Sequence, residues 1–325
     1  MYETPLLMVE DEEALEAACA QLRGEPVIGV DTEADSMYHY REKVCLIQVT
    51  DSRQDYIIDP LAIGHIGGLG DILADASVVK IFHGADYDVI SLKRDFELEV
   101  KNLFDTMIAA QIVGLPKVGL ADLCANYFGA SMNKKYQRHN WAARPLLPEH
   151  LAYARGDSHY LLALREKLMA LLSETQREDV AQEEFRLLEA REWQEKEFDP
   201  EGWWRIKQAR TLDDKGRRIL RKLYVYRNGQ AKAMDRPPYK VMPDQFLMQV
   251  AHRRPKSLGE LKKLARPRSQ MLRRHGESLV KEVHAGLGDR SALSDSPARK
   301  GKEGVRPPFG GRDTERLFQC FKDWR

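Results

Sequence analysis

Cysteine is scarce and scattered in this chain: Cys19, Cys45, Cys124 and Cys320 are the only four among 325 residues. None belongs to a CxxC pair and no histidine stands at zinc-ligand spacing from them, so neither a disulfide framework nor a zinc site is indicated. No apolar run approaches the length of a membrane span. The first residues, Met1 to Glu13, hold no basic segment followed by an apolar one, so no secretory leader is read and the expected location is the cytoplasm. Internal repeats are absent as well. Basic residues are in short supply over the first 202 positions, which carry 20 Lys and Arg against 37 Asp and Glu.

The balance then reverses. Residues 203–290 carry 23 basic against 8 acidic side chains, and residues 291–325 carry 8 against 5, so the net charge of +1 conceals two regions of opposite sign. A basic module gains affinity for a polyanion through counterion release and steering. The basic part is therefore expected to hold nucleic acid. Some of the acid excess has a plainer source, the stretch Glu174 to Glu201, which is expected to be a solvated connector. The length suffices for two domains, and 43% hydrophobic residues is ordinary for a globular protein.

What is present in the first half is an alternation of strand and helix patterns. Strands are predicted at residues 6–9, 27–32, 44–50, 54–58 and 78–82, the middle three forming an antiparallel meander. Helices are predicted at 12–22, 69–73, 86–95, 106–113, 120–127 and from Pro148 onward. In the basic part the apolar spacing predicts only helices: 212–227, 243–251, a short one after the capping-box pair Ser257 and Glu260, and 270–287. From about Gly288 to Gly311 the composition turns to Ser, Pro, Gly and Lys and reads as a linker, followed by a short helix with Leu317, Phe321 and Trp324 on one face.

The chemistry concentrates in three segments. Asp31-Thr-Glu33 follows the apolar run Val27 to Val30, and alternate residues of a strand share a face, so both carboxylates can enter one pocket. Tyr153 and Asp157 stand four apart in a helical pattern and so also project together. Asp86 and Asp88 both lie just past the strand ending at Phe82. Carboxylates gathered without matching bases repel one another, so such a site calls for divalent cations, and hard oxygen ligands favour Mg²⁺ or Mn²⁺. Two such ions would serve phosphodiester hydrolysis.

These segments, with Val44-Cys-Leu-Ile-Gln-Val, Lys80-Ile-Phe-His-Gly, Leu103-Phe-Asp-Thr and Asn140-Trp-Ala-Ala-Arg-Pro-Leu146, resemble the exonuclease motifs of the ribonuclease D family. This is the DEDDy branch of 3′-to-5′ exonucleases, which includes the nuclear-exosome exonuclease. The resemblance covers about Val27 to Leu168. It implies an α/β ribonuclease H-like (DnaQ-like) domain with a mixed sheet, two divalent ions held by Asp31, Glu33, Asp88 and Asp157, and Tyr153 orienting the nucleophilic water. Of the two candidates in the second segment it selects Asp88 over Asp86. It also implies single-stranded RNA 3′ ends as substrate, transfer RNA precursors among them. A DNA 3′-to-5′ exonuclease and a non-catalytic RNA-binding scaffold are the rival readings.

Around these motifs stand His83, Lys135, Tyr136, Gln137, Trp141 and Arg144, where cations interleave with aromatics as a single strand would require. They are the candidate substrate contacts; a core role for Trp141 and a structural one for His83 are the competing readings. Asp105 is read as a helix N-cap. The stretch from about Leu212 to Leu287 resembles the small helical bundle of the helicase-and-RNase-D C-terminal (HRDC) domain, although Arg266-Pro267-Arg268 stands where a glycine-rich turn is the family habit. The expected boundaries are 1–173 exonuclease, 174–210 connector, 211–288 HRDC-like and 289–325 linker and terminal helix.

Overall fold

The computed structural model describes residues 4–195, 197–265 and 269–293, which form two compact units divided near residue 196. The first unit contains β1 (Leu6–Val9), α1 (Glu12–Leu22), β2 (Val27–Ala34), β3 (Val44–Thr50), β4 (Asp55–Ile58), α2 (Gly67–Ala74) and β5 (Val79–Phe82). It continues with α3 (Asp86–Phe96), β6 (Leu103–Asp105), α4 (Thr106–Ile112), α5 (Leu120–Phe128), α6 (Pro148–His159), α7 (Leu161–Glu174) and α8 (Glu178–Glu189). The predicted strands and helices are all there, within a few residues at their ends. β6 is the addition: three residues are too few to show a period.

The strands build one mixed sheet in the order β1-β4-β3-β2-β5-β6. β2, β3 and β4 form the antiparallel meander, while β1 runs parallel to β4, β5 to β2, and β6 to β5. Every residue of β3 is buried, as a strand covered on both faces requires. The 3-4 spacing of Leu161, Leu164, Leu168 and Leu172 lays one face of α7 in the core, each leucine contributing about 2 kcal/mol of burial.

The acid-rich run after Glu174 departs from the expected solvated connector. Helix breaks at Thr175, and α8 then turns Ala181, Phe185 and Leu188 into the same core, with the Phe185 ring 4.9 Å from that of Phe104. Glu178, Asp179, Glu183 and Glu184 are exposed on its outer face, so a charge count alone hid an amphipathic helix.

The second unit is helical, as expected: α9 (Asp214–Ala233), α10 (Pro238–Val241), α11 (Asp244–Arg253), α12 (Leu258–Lys262) and α13 (Gln270–Gly288), preceded by two short 3₁₀ turns. Ile219, Leu220 and Leu223 of α9 and Leu279 and Val283 of α13 are buried. Gly286 lets the two helices close up, because a Cβ there would stand 2.6 Å from the Ile219 Cα. The Ser257 hydroxyl caps α12 by accepting from the Glu260 N–H, but the Glu260 carboxylate accepts from Lys256 rather than from Ser257, so the capping box is one residue wider than its usual form. The Arg266-Pro267-Arg268 turn, the linker from residue 294 and the terminal helix fall outside the described residues.

Candidate active site

β2 is longer than its neighbour on one side. It pairs with β5 only through Gly29, whereas its ladder with β3 continues to Ala34 with an irregularity after Glu33. Asp31 and Glu33 thus lie on the stretch of β2 that outruns β5, on one face of the strand. α6 packs over β2, β3 and β4 and brings Tyr153 and Asp157, one turn apart, to the same place.

Glycine at position 29 permits that approach. A Cβ there would sit 3.0 Å from the Ser158 carbonyl oxygen and 3.1 Å from the Leu161 Cβ, so a larger residue would push α6 off the strand. α6 is then fixed by polar contacts: the Ser158 and Thr50 hydroxyls are 2.8 Å apart, and Asp55 accepts from Arg155 at 2.6 Å and contacts His159 at 2.9 Å. On the other side, Gly84 at φ +78° turns the chain from β5 toward α3. The buried Asp105 carboxylate accepts from the N–H groups of Gly84, Ala85, Met107 and Ile108, which makes it the N-cap of α4 and the tie of that turn.

Asp31, Glu33 and Asp157 each offer a carboxylate oxygen within 4.8 Å of the others. Asp88, in the first turn of α3, is buried and accepts from the Thr32 hydroxyl at 2.5 Å; it stands outside that trio, yet its charge is the largest neighbouring-charge influence on Asp31. Asp86, by contrast, is exposed and pairs with Arg191. Asp31, Glu33 and Asp157 open onto a cavity of about 400 Å³ walled by His83, the first turn of α5 at Gly119 to Ala121, and Met132, Asn133, Lys134 and Gln137.

Electrostatics show that the cluster is uncompensated by protein. Burial, followed by the neighbouring carboxylates, holds Asp31 and Glu33 well above the usual carboxylate range. Burial pushes Asp157 up to about 7 although the Tyr153 hydroxyl donates to it, and pushes Asp88 up to about 6 although Thr32 donates to it. The Tyr153 phenol is driven far above its ordinary value by burial and by the charges of Asp157, Glu33 and Asp31, so it stays protonated. Burial depresses His83, whose Nδ1 lies 2.9 Å from the Thr106 hydroxyl. Among the described residues, Lys134 is the one permanent cation on the cavity wall. Hard oxygen donors gathered this closely against their own repulsion fit a divalent cation.

The candidate substrate contacts divide. His83 and Gln137 line the cavity. Lys135 is exposed, off the cavity wall, with its Nζ 2.9 Å from the Tyr136 hydroxyl. Tyr136 and Trp141 are 9% and 1% exposed, and their ring centroids lie 6.0 and 5.8 Å from that of Tyr153. Both rings pack against Tyr153 between α6 and the sheet, where an apolar ring buries more area than one left at the surface. Arg144 is likewise framework: its guanidinium donates to both oxygens of Asp59 at 2.6 and 2.8 Å and to the carbonyls of Trp141 and Cys45. Sequence reading missed Thr32, Asn133 and the α5 turn. Only Thr32 carried a signal, since alternation places it opposite Asp31 and Glu33, toward a helix on the far side.

A strand end bearing two acids, faced by a helix bearing an acid and a tyrosine, defines a carboxylate-centred phosphodiesterase site of the exonuclease class. The family described as 3′-5′ exonuclease matches residues 6–173 and the HRDC domain matches residues 216–283. The chain belongs to the 3′-5′ exonuclease family, in its ribonuclease D branch, and carries an HRDC domain. It is 32% identical over 287 residues to the exosome complex component 10 homolog of Caenorhabditis elegans, covering 87% of this chain and 33% of that relative. The chain thus spans about a third of the length of the curated relatives it matches. The catalytic core of RRP6 from Trypanosoma brucei superposes with a TM-score of 0.81 at 31% identity, covering 89% of this chain and 81% of that one. Escherichia coli RNase D, an exoribonuclease involved in structured RNA processing, gives 0.70 at 29% identity over 98% and 83%. No described helix is long and apolar enough to cross a membrane.

Proposed function

We propose that this chain is a 3′-to-5′ exoribonuclease that hydrolyses single-stranded RNA 3′ ends, with transfer RNA precursors and other small structured RNAs among its substrates in the cytoplasm. The observation that carries the reading is the approach of the Asp31, Glu33 and Asp157 carboxylates to within 4.8 Å, beside the Tyr153 hydroxyl that donates to Asp157. Asp31, Glu33, Asp88 and Asp157 would hold two Mg²⁺ or Mn²⁺ ions, which supply Lewis-acid stabilisation of the phosphodiester and an acidified water when bound. The protein's own part is positional. Asp157 accepts from the Tyr153 hydroxyl, which leaves the phenol oxygen free to accept from an attacking water and aim it. With its own proton given to Asp157 in that hydrogen bond, Tyr153 is assigned the orienting of the water. Lys134 and Gln137 lie where the RNA backbone would enter. The basic HRDC module, residues 211–288, is the companion nucleic-acid holder; the exonuclease part begins as 1–173 and takes in α8 from the stretch 174–210, and 289–325 is read from its sequence as the linker and terminal helix.

The test is incubation of a 5′-labelled single-stranded RNA and its DNA counterpart with Mg²⁺, Mn²⁺ or chelator, beside Asp157→Asn. A metal-dependent ladder shortening from the 3′ end, absent in the variant and stronger on RNA, is the expected outcome. Binding without shortening would replace this reading with a scaffold, and equal trimming of DNA would remove the preference for RNA.

A further inference from the structure

Gln48 stands fully buried in the middle of β3, and neither its amide nitrogen nor its amide oxygen meets a partner among the described residues. An unpaired buried amide costs about 1–3 kcal/mol, which an apolar side chain of similar size would avoid. Its place is informative. In the ladder register Gln48 is directly opposite Asp31 on β2 and Ile57 on β4. Residues opposed across an antiparallel pair share a face, with Cβ atoms about 5 Å apart.

The face is the one that α6 covers. Two residues along the strand in one direction, Thr50 meets Ser158 of α6; two along in the other, Leu46 packs with Trp141 and with Ala154 of α6. The Gln48 amide is therefore enclosed under α6, beside the root of the Asp31 side chain. A carboxylate that gives one oxygen to a cation needs its other oxygen held, and groups of that kind tune affinity through the ligand they orient. Glutamine suits that role, since it brings two N–H donors with no charge and so would steady the carboxylate without competing for the cation as a lysine would.

We propose that Gln48 is the positioning residue of Asp31 in the cation-loaded site: once one Asp31 oxygen is given to a divalent cation, the side-chain amide, which has no partner among the described residues, turns to donate to the other oxygen and fixes that rotamer. The proposal rests on the metal-ion reading above. Its test uses the full chain stripped of metal, as Gln48→Leu and as Gln48→Met, with Mn²⁺ uptake followed by calorimetry, thermal midpoints taken without metal, and kcat and KM taken at saturating Mn²⁺. The expected result is a Mn²⁺ half-saturation raised on the order of tenfold in both variants. The metal-free midpoint should be unchanged or higher, with the KM for RNA unmoved. Uptake equal to that of the unmodified chain would overturn the positioning role alone, and so would failure of both variants to fold, which would assign the amide to the fold. If the unmodified chain takes up no Mn²⁺, the metal-ion reading itself falls and this proposal with it.

Discussion

Two sets of carboxylates lie within the same unit and meet opposite fates. Asp55 and Asp59, at the start of β4 and just past its end, are 1% and 2% exposed, and each is answered by an arginine, Arg155 and Arg144 respectively. Burial drives Asp55 upward, but hydrogen bonds from His159, Thr4 and Thr50 together outweigh it and hold the carboxyl below its ordinary value. Asp31, Glu33, Asp88 and Asp157 receive no such answer, and all four are held above theirs. The second unit follows the first pattern: its buried Arg227 is met by Asp244 at 2.5 Å. Compensated charge secures the fold, whereas uncompensated charge of one sign in a cavity marks where an ion is to be taken up.

Substitutions at the two sets should separate them. Asp31→Asn is expected to lower trimming on the order of a thousandfold in single-turnover assays, while the metal-free thermal midpoint holds or rises because a repelling charge is gone. Asp55→Ala should do the reverse. It removes the carboxylate that answers the largely buried Arg155, leaving that cation with Thr4 but no opposite charge from Asp55, and is expected to cost about 3–5 kcal/mol in urea unfolding, so equal behaviour at positions 31 and 55 would break the distinction.

Tyr153→Phe sharpens the comparison within the site. Loss of the hydroxyl is expected to reduce kcat about a hundredfold with Mn²⁺ uptake nearly unchanged, because the ring keeps its seat on Tyr136 and Trp141. A large loss of metal affinity instead would make Tyr153 part of the cation site.

The smallest effect is a pH dependence. Asp88 and Asp157 have folded-state values raised to about 6 and about 7, so the folded chain holds protons that the unfolded chain has released. Their contribution to stability is complete below about pH 4 and is lost as pH rises through 6 and 7. Without metal, stability should therefore fall by about 1–2 kcal/mol over that window, the amount limited by solvent at the cavity mouth. The slope should flatten in Asp157→Asn and with Mn²⁺, and a metal-free chain that gained stability across the window would contradict the raised values.

Much of this was legible in the chain. Period-two and period-3.6 spacing located the meander, α3, α6 and the helices of the second unit, because those periods are set by backbone geometry. β6 was too short to show a period, and the polar face of α8 masked Phe185 and Leu188. Within the site, spacing paired Asp31 with Glu33 and Tyr153 with Asp157, while the choice of Asp88 over Asp86 came from the family resemblance. The basic and aromatic residues between the second and third motifs did not, since a loop has no period from which a side chain's direction can be read.

The sequence by itself set out the candidate groups for the chemistry: four acids and a phenol, on a strand and two helices, with Asp31 and Glu33, and Tyr153 and Asp157, each turned to one side by their spacing. Only the tertiary structure decided which of their neighbours serve them. Tyr136, Trp141 and Arg144 went to the framework and Gln137 to the cavity wall, because the sheet beneath α6 had apolar area to cover and Asp59 a charge to match. It also decided the approach of α6, which depends on a missing Cβ at Gly29 and on contacts between residues far apart in the chain. Local spacing fixes which way a side chain points on its own element; the distance between elements is set by what packs between them.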